Sequence, residues 1–409
     1  TLLYSSIGGL RAVIITDFIQ FFLAMLGSVW ATVYIVNLPQ IGGISNLVLH
    51  QNTISKLSIF PDFKDPDIWV PVFMIPLSVQ WWASYYPGSE PGGGGYIAQR
   101  MLSAKNEKHA VGATLLFNIA HYAIRPWPWI LIALSSLIIF PELSDIQKAF
   151  PSLSDDKLGH DVAYPAMLSL LPPGLLGLVA ASLIAAFMST MSTQLNLGAS
   201  YIVNDFYHRF INLKASDMQL VKIGRLFTII SVILGASLGL VLKSAGQAFT
   251  LLLMIGSGTG LIYILRWFWW RINAYTEIIA MISSLIIACI FNFSELGIDN
   301  WQKIVLGSLL TSLIWILATF LTPPDDDQTL KNFVNKINPG GPGWKKYSTI
   351  KSETSSSISR GVLSMFLGCI VVYGALIGTG QLLYGYVFLG SIIYLVIVFI
   401  SVLLFKIWK

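Results

Sequence analysis

The chain has 409 residues, of which 55% are hydrophobic and only 11% are charged. A soluble domain carries about 25% charged residues, so the composition excludes a soluble protein and indicates a polytopic α-helical membrane protein. The two cysteines, Cys289 and Cys369, lie in apolar stretches, which excludes a disulfide scaffold and a cysteine zinc site. The net charge of +5 reflects lysines and arginines beside membrane helices, so we expect no nucleic-acid partner.

Hydropathy predicts ten spans, because about 20 apolar residues are needed to cross a bilayer core. The predicted spans are 12–36, 68–86, 109–140, 174–203, 221–242, 246–268, 273–293, 303–322, 361–381 and 386–407. Lysines and arginines concentrate in alternate loops, which predicts that both chain ends lie in the cytoplasm. An integral protein of the plasma (inner) membrane is expected. The loop at 323–360 is then cytoplasmic, with a predicted helical stretch near 328–338 followed by a Gly/Pro/Ser/Thr-rich linker. As a whole, this loop is typical of a solvated tether.

The first span carries an acidic residue, Asp17, about five residues from its start. An ionisable side chain within a span is costly and indicates a functional site. An acid at the cytoplasmic end of the helix is the alternative interpretation.

The second span is interrupted by Pro87 and by the glycine run 92–95. A broken helix of this kind is the best sequence indication of a transporter binding site, and the aromatic side chains around it could stack on a ligand. An interfacial aromatic belt followed by a flexible loop explains the same pattern. Five residues here are candidates for solute binding: Trp81, Trp82, Tyr85, Gly94 and Tyr96.

The third span adds Asn118, His121 and Arg125 to the candidate solute site. His121 and Arg125 are four residues apart and therefore lie on one helix face. A guanidinium inside an apolar stretch needs a partner or water. A solute oxygen is one such partner, and an ion pair with Glu90 or another helix is the equally good alternative.

The fourth span carries hydroxyl groups at helical spacing. Ala186 and Ser189 are three residues apart, as are Ser189 and Ser192, and Thr190 and Thr193. Sodium is a hard cation that prefers oxygen ligands, and hydroxyl and backbone carbonyl groups supply them without charge. Close packing between helices explains the same residues equally well. Gly256–Gly260 in the sixth span also has two interpretations: close helix packing, or a kink that faces a cavity.

Together these motifs resemble the sodium/solute symporter family, which includes sodium/glucose, sodium/proline and sodium/sialic acid cotransporters. Gly8-Gly-Leu with Asp17-Phe-Ile-Gln20 looks like the fifth core helix of the family. Gln99-Arg-Met-Leu-Ser-Ala-Lys105 resembles the segment after the sixth core helix. Ala185–Gln194, followed by Asn204-Asp-Phe-Tyr207, looks like the eighth core helix and its exit.

The resemblance implies a five-plus-five inverted-repeat transporter fold whose first helices are missing from this sequence. Residues 1–270 would form a partial core, namely the last helix of repeat one and all of repeat two. Residues 271–409 would form four peripheral membrane helices, with the loop at 323–360 among them.

The resemblance also implies two sodium sites and no organic cofactor. The first sodium would bind Ala186, Ser189 and Thr190. The second would bind Asp17, Ser192 and Thr193 and share Ser189. Sodium, a small solute and the lipid bilayer are thus the expected partners, while the oligomeric state is not predicted.

The function implied is sodium-coupled import of a small polar organic solute: a sugar, an organic or sialic acid, or an amino acid. The chain departs from the sugar transporters at Gly94, where they carry Asn or Asp, and at His121, where they carry Lys. Arg125 suggests an anionic solute. A proton-coupled symporter of the same fold and a transporter-like sensor are the alternatives. An enzyme is not expected, because the sequence places no carboxylate near His121.

Overall fold

The computed structural model of the chain describes residues 2–82, 101–241, 245–294, 297–337, 339, 341–347 and 353–407. Within these ranges the chain is helical almost throughout, apart from loops and an isolated parallel bridge between Trp269 and Gly343. The α-helices are α1 (Leu2–Val36), α2 (Ile44–Leu49), α3 (Gln51–Ile54), α4 (Pro66–Trp69), α5 (Glu107–Asn118), α6 (Trp127–Ile139), α7 (Leu143–Ala149), α8 (Ala163–Leu168), α9 (Pro173–Ser200), α10 (Asp217–Val241), α11 (Ala245–Phe268), α12 (Ala274–Phe293), α13 (Asn300–Leu321), α14 (Asp327–Ile337), α15 (Glu353–Leu383) and α16 (Val387–Ile407).

The described residues also include π-helical segments and 3₁₀ turns. The π-helical segments are Val70–Met74, Pro76–Gln80, Ile119–Ile124 and Tyr201–Ile211, and the 3₁₀ turns are Asp155–Lys157 and His160–Val162. The third predicted span is therefore one run of α5, a π turn and α6, with Pro126 and Pro128 at the start of α6. Proline fits there, because the first turn of a helix has backbone N–H groups without partners in any case.

Among the described residues, eight helices are long and apolar enough to cross a membrane. The predicted span at 68–86 is not one of them, and the structure describes it only as far as residue 82. The predicted span at 174–203 corresponds to the continuous helix α9, which ends at Ser200. Elsewhere large apolar side chains point outward, such as Phe388 at 82% exposure, as lipid contact requires.

One packing unit comprises Thr1–Phe60, Val111–Thr228 and Phe366–Lys409. Its main core joins α1, α6, α8 and the N-terminal half of α9, and includes Ala31, Ile35, Ile132 and Met167. Gly27 of α1 permits a close approach to α9: a Cβ at this position would lie 3.7 Å from Val179 Cγ2 and 3.8 Å from Ser182 Oγ. Small residues at helix interfaces are how membrane helices gain van der Waals contact.

The other packing unit comprises Pro61–Ala110 and Ile229–Met365, and its centre is a bundle of α11, α12 and α13. Two apolar clusters fill the bundle: Leu253, Met254, Ala288 and Ile304, and then Ile262, Ile272, Ala280 and Trp315. Between them along the helices lie hydroxyl side chains that are each 1% exposed: Ser257, Thr259, Ser284, Ser308 and Thr311. Gly258 lies directly against Thr311. Since α11 runs unbroken through Gly256–Gly260, the small residues here serve packing and do not mark a kink.

Residues 323–347 are not a solvated tether over their described part. Leu330 and Val334 of α14 form a small core with Trp344. The Trp344 indole N–H donates to the Trp267 carbonyl (2.9 Å), and the Trp270 amide donates to the Gly343 carbonyl (3.4 Å). This segment, which we call the cap, therefore covers the C-terminal end of α11. It donates one hydrogen bond to a carbonyl of the last helical turn and accepts one from the Trp270 amide just after the helix. Composition alone did not reveal it, because the contacts join Trp344 to tryptophans far earlier in the sequence, Trp267 and Trp270.

The two packing units do not coincide with the predicted division at residue 270. They are defined by contact alone, whereas the division into 1–270 and 271–409 follows the organisation implied by the family resemblance. That division stays a prediction.

Candidate functional site

All the candidate sodium ligands except Asp17 lie on one helix, α9. Because α9 is continuous from Pro173 to Ser200, residues three and four apart between 186 and 193 are neighbours on its surface. The Thr190 hydroxyl donates to the Ala186 carbonyl oxygen at 3.1 Å, and both residues are exposed. Two of the predicted oxygen ligands therefore lie side by side. For Ser189, Ser192 and Thr193 the structure describes the helical backbone only.

The helix that carries Asp17 packs antiparallel on α9. Gly27, in the C-terminal half of α1, meets Leu178 and Val179 in the N-terminal half of α9. Further along α1, Ile35 joins the core cluster that contains Leu171, just before α9 begins. Asp17 itself lies within α1, and its backbone alone is described.

Gly27 is a residue that our sequence reasoning missed. It determines how closely α1 and α9 approach, and so how far the Asp17 helix lies from the hydroxyl groups. The signal was present, because Gly27 and Ala31 are four residues apart and form the small-residue spacing typical of membrane helix contacts.

His121 and Arg125, which were predicted to share a helix face, are in contact within the third span. The Arg125 Nη1 donates to His121 Nδ1 at 2.8 Å, so this ring nitrogen acts as the acceptor. The guanidinium also lies 5.6 Å from the centre of the Trp129 ring, and Phe117 stacks on the His121 ring. Arg125 thus has a partner on its own helix. The proposed alternative partner, Glu90, lies outside the described residues.

Asn118 is the third candidate from this span, and its amide is engaged with its own helix. The side-chain Nδ2 donates to the Thr114 carbonyl oxygen at 2.8 Å. The amide oxygen is the part of this side chain that a solute donor would use. Asn118, His121 and Arg125 all belong to the first packing unit.

The two tryptophans before the predicted break belong to the second packing unit. Their rings make an edge contact with centres 5.5 Å apart, and Trp81 is 58% exposed. The Trp82 indole N–H donates to the Ser257 carbonyl oxygen of α11 at 2.9 Å. Trp82 therefore has a structural contact that the sequence did not predict. Tyr85, Gly94 and Tyr96 lie outside the described residues.

Comparison with known proteins gives a consistent result. The sodium:solute symporter family matches residues 1–286. The chain is 26% identical over 343 residues to a sodium/glucose cotransporter of Vibrio parahaemolyticus, which covers 80% of this chain and 61% of the relative. It is 28% identical over 320 residues to the sodium/myo-inositol cotransporter 2 of Rattus norvegicus, which covers 71% of this chain and 46% of the relative.

The fold is also similar to that of a solved structure. A Na⁺-coupled sialic acid symporter, in a substrate-bound outward-open state, superposes with a TM-score of 0.53 at 23% identity, over 78% of this chain and 64% of that one. The chain spans less than two thirds of the length of each of these proteins.

The predicted all-α transporter fold is confirmed, and it is LeuT-like. The family match covers residues 1–286, more than half of the chain, and it includes both α1 and α9. The predicted absence of enzymatic function is confirmed as well, since the family and these relatives are transporters. The chain belongs to the sodium:solute symporter family.

Proposed function

We propose that the protein is a sodium-coupled secondary active symporter that imports a small polar organic solute. Family membership supports sodium as the coupling ion. The names of the relatives support a sugar or polyol as the solute, and the structural neighbour adds sialic acid. Organic acids and amino acids stay in the candidate set because Gly94 and His121 depart from the sugar transporters and Arg125 is a cation.

The observation that carries the sodium assignment is the antiparallel packing of α1 on α9. Gly27 contacts Val179, and both helices rise about 1.5 Å per residue. Ten residues back along α1 is Asp17, and ten residues forward along α9 is Ser189. The register therefore supports a carboxylate at the level of the hydroxyl stretch, as a second sodium site requires.

The chemistry of the two proposed sites is complementary. The first uses the Ala186 carbonyl and the hydroxyls of Ser189 and Thr190, which are neutral oxygen ligands suited to a weakly held monovalent cation. The second adds the Asp17 carboxylate to Ser192 and Thr193 and shares Ser189. Each sodium ion that crosses contributes about 2.3 kcal/mol per 100 mV of membrane potential, which drives solute accumulation.

The test is charge movement in proteoliposomes that contain the protein expressed from its complete gene. Sodium jumps would be recorded with pooled sugars, polyols, organic and sialic acids, and amino acids. Wild type would be compared with Asp17→Asn and Ser189→Ala. Ser182→Ala is the matched control, because this hydroxyl lies on the same helix but donates only to the Val179 carbonyl.

We expect sodium-dependent currents in wild type and in Ser182→Ala, and their suppression in the other two variants. Division of the pool would then identify the solute. Uptake driven by a proton gradient and indifferent to sodium would overturn sodium coupling in favour of the proton-coupled alternative. Folded protein without any current in any pool would favour the sensor.

A further inference from the structure

A groove opens on the side of α11 at the end covered by the cap. Its volume is about 470 Å³, and its lining is mostly apolar: Tyr263, Ile264, Trp267, Phe268 and Pro339. The first four residues form the last turns of α11, a helix that is long and apolar enough to cross a membrane and that ends at Phe268. The groove therefore lies at the depth where a span meets the interface.

Two cations stand beside this groove. The Arg266 guanidinium lies 5.3 Å from the centre of the Tyr263 ring, and its side chain is 40% exposed. Lys336 is exposed and follows Phe333 by one turn of α14, and the Phe333 ring is 6.1 Å from that of Trp267. Both cations thus adjoin residues that line the groove or contact its lining.

The acidic groups of this region compensate only part of that charge. Glu277 pairs with Arg266 at 3.2 Å. Asp325, Asp326 and Asp327 lie at or before the first turn of α14, whereas Lys336 lies in its last turn. A helix of 11 residues is about 16 Å long, so these carboxylates are well separated from Lys336. The rim of the apolar groove therefore carries a net positive charge.

We propose that this groove binds one anionic phospholipid. An acyl chain would lie along Tyr263, Ile264 and Trp267, and the phosphate would lie beside Lys336 and Arg266. Basic pockets between membrane helices near the interface are the established kind of site for anionic headgroups. A zwitterionic choline lipid would fit the apolar lining equally well, but it would bring a second cation to a positive rim. With the cap in place, the groove on α11 would thus bind an anionic phospholipid in preference to a zwitterionic one.

Photo-crosslinking tests this site directly. The complete protein would be reconstituted in nanodiscs that contain a diazirine-bearing phosphatidylglycerol or the matching phosphatidylcholine, and labelled peptides would be mapped by mass spectrometry. Wild type would be compared with Lys336→Gln. Lys331→Gln is the matched control: this exposed lysine lies on the same helix, about 160° around its axis from Phe333.

We expect phosphatidylglycerol to label residues 263–268 or 339 several-fold more than phosphatidylcholine. Lys336→Gln should lower that labelling about fivefold, as the loss of one cation near an anionic headgroup predicts, and Lys331→Gln should leave it unchanged. Equal labelling by both lipids would overturn the proposal and leave only a general aromatic belt. An equal loss in both variants would also overturn it, since it would indicate diffuse surface charge.

Discussion

Hydroxyl residues in membrane helices are found in two opposite environments in this protein. Thr190 of α9 and Thr259 of α11 each donate to the carbonyl four residues earlier, at 3.1 Å and 2.9 Å. Thr190 is exposed, whereas Thr259 is 1% exposed within the α11–α13 bundle. The local geometry is thus nearly the same, and the two threonines differ in burial. The exposed Thr190 hydroxyl is accessible to an ion, whereas the buried Thr259 hydroxyl serves helix packing.

The largest expected effect lies in the bundle. A Cβ at Gly258 would lie 2.9 Å from the Cβ, Cγ2 and Oγ1 atoms of Thr311. Gly258→Leu should therefore force α11 and α13 apart and lower the free energy of unfolding by about 3 kcal/mol. Detergent-solubilised protein should lose its monodisperse peak in size-exclusion chromatography.

The matched control is Gly235→Leu in α10, where no atom lies within 4 Å of the added Cβ. This variant should behave as wild type does. If Gly258→Leu were equally well tolerated, the packing interpretation of Gly256–Gly260 would be wrong.

The threonine pair gives the next largest effect. Thr190→Val keeps the shape of the side chain but removes a proposed sodium ligand, so the apparent sodium affinity should fall about tenfold while the melting temperature is unchanged. Thr259→Val should leave sodium affinity unchanged and alter stability by about 1 kcal/mol or less. Sodium titration of transport currents and thermal melting distinguish the two. An unchanged sodium affinity in Thr190→Val would break the comparison.

The next prediction concerns the cap, which packs on the C-terminal end of α11. Trp344→Phe removes the indole N–H bond to the Trp267 carbonyl but keeps an aromatic ring against Phe333. The loss of one hydrogen bond should cost about 1 kcal/mol and make the cap open more often. Limited proteolysis between residues 323 and 347 should therefore be several-fold faster. Lys345→Gln, which alters an exposed neighbour, should not change the rate.

The smallest expected effect concerns the exposed hydroxyl of Thr329, which donates a hydrogen bond to Asp326. Hydrogen bonds from the Thr329 side chain and backbone hold the pKa of Asp326 below its usual range, at the start of α14. A lowered folded-state pKa means that this stabilisation is present above the unfolded pKa and is lost as the pH falls through the folded value. The protection of α14 from hydrogen exchange, relative to the intrinsic rate at each pH, should fall below about pH 4.

Asp326→Asn should remove this dependence, since Asn caps a helix without titrating. The neighbouring Asp325 must be kept in this test. Burial, and then the Asp326 charge, raise its pKa, while Arg271 lowers it. Its titration therefore opposes that of Asp326, and an unchanged acid response in Asp326→Asn would assign the effect to other groups.

Some parts of the molecule were predictable because their signals are local. Hydropathy identifies a membrane helix from about 20 consecutive residues, and the His121–Arg125 contact follows from a spacing of four. The cap was not predictable, since Trp267, Trp344 and Phe333 meet only when the loop folds back on α11. The proposed sodium ligands were predictable only in part. Their spacing on α9 is a local property of the sequence, but their position relative to Asp17 depends on how α1 packs against α9.

Composition and periodicity by themselves determined that this is an all-α membrane protein, because apolar length and small-residue spacing are properties of single segments. Motifs in order along the chain pointed to the family that the comparisons confirm. Only the tertiary structure decided which hydroxyl residues are buried between helices and which stay exposed. It also decided that residues 323–347 form a cap. Burial is a property of neighbours, and the sequence of one helix does not specify which other helix covers it.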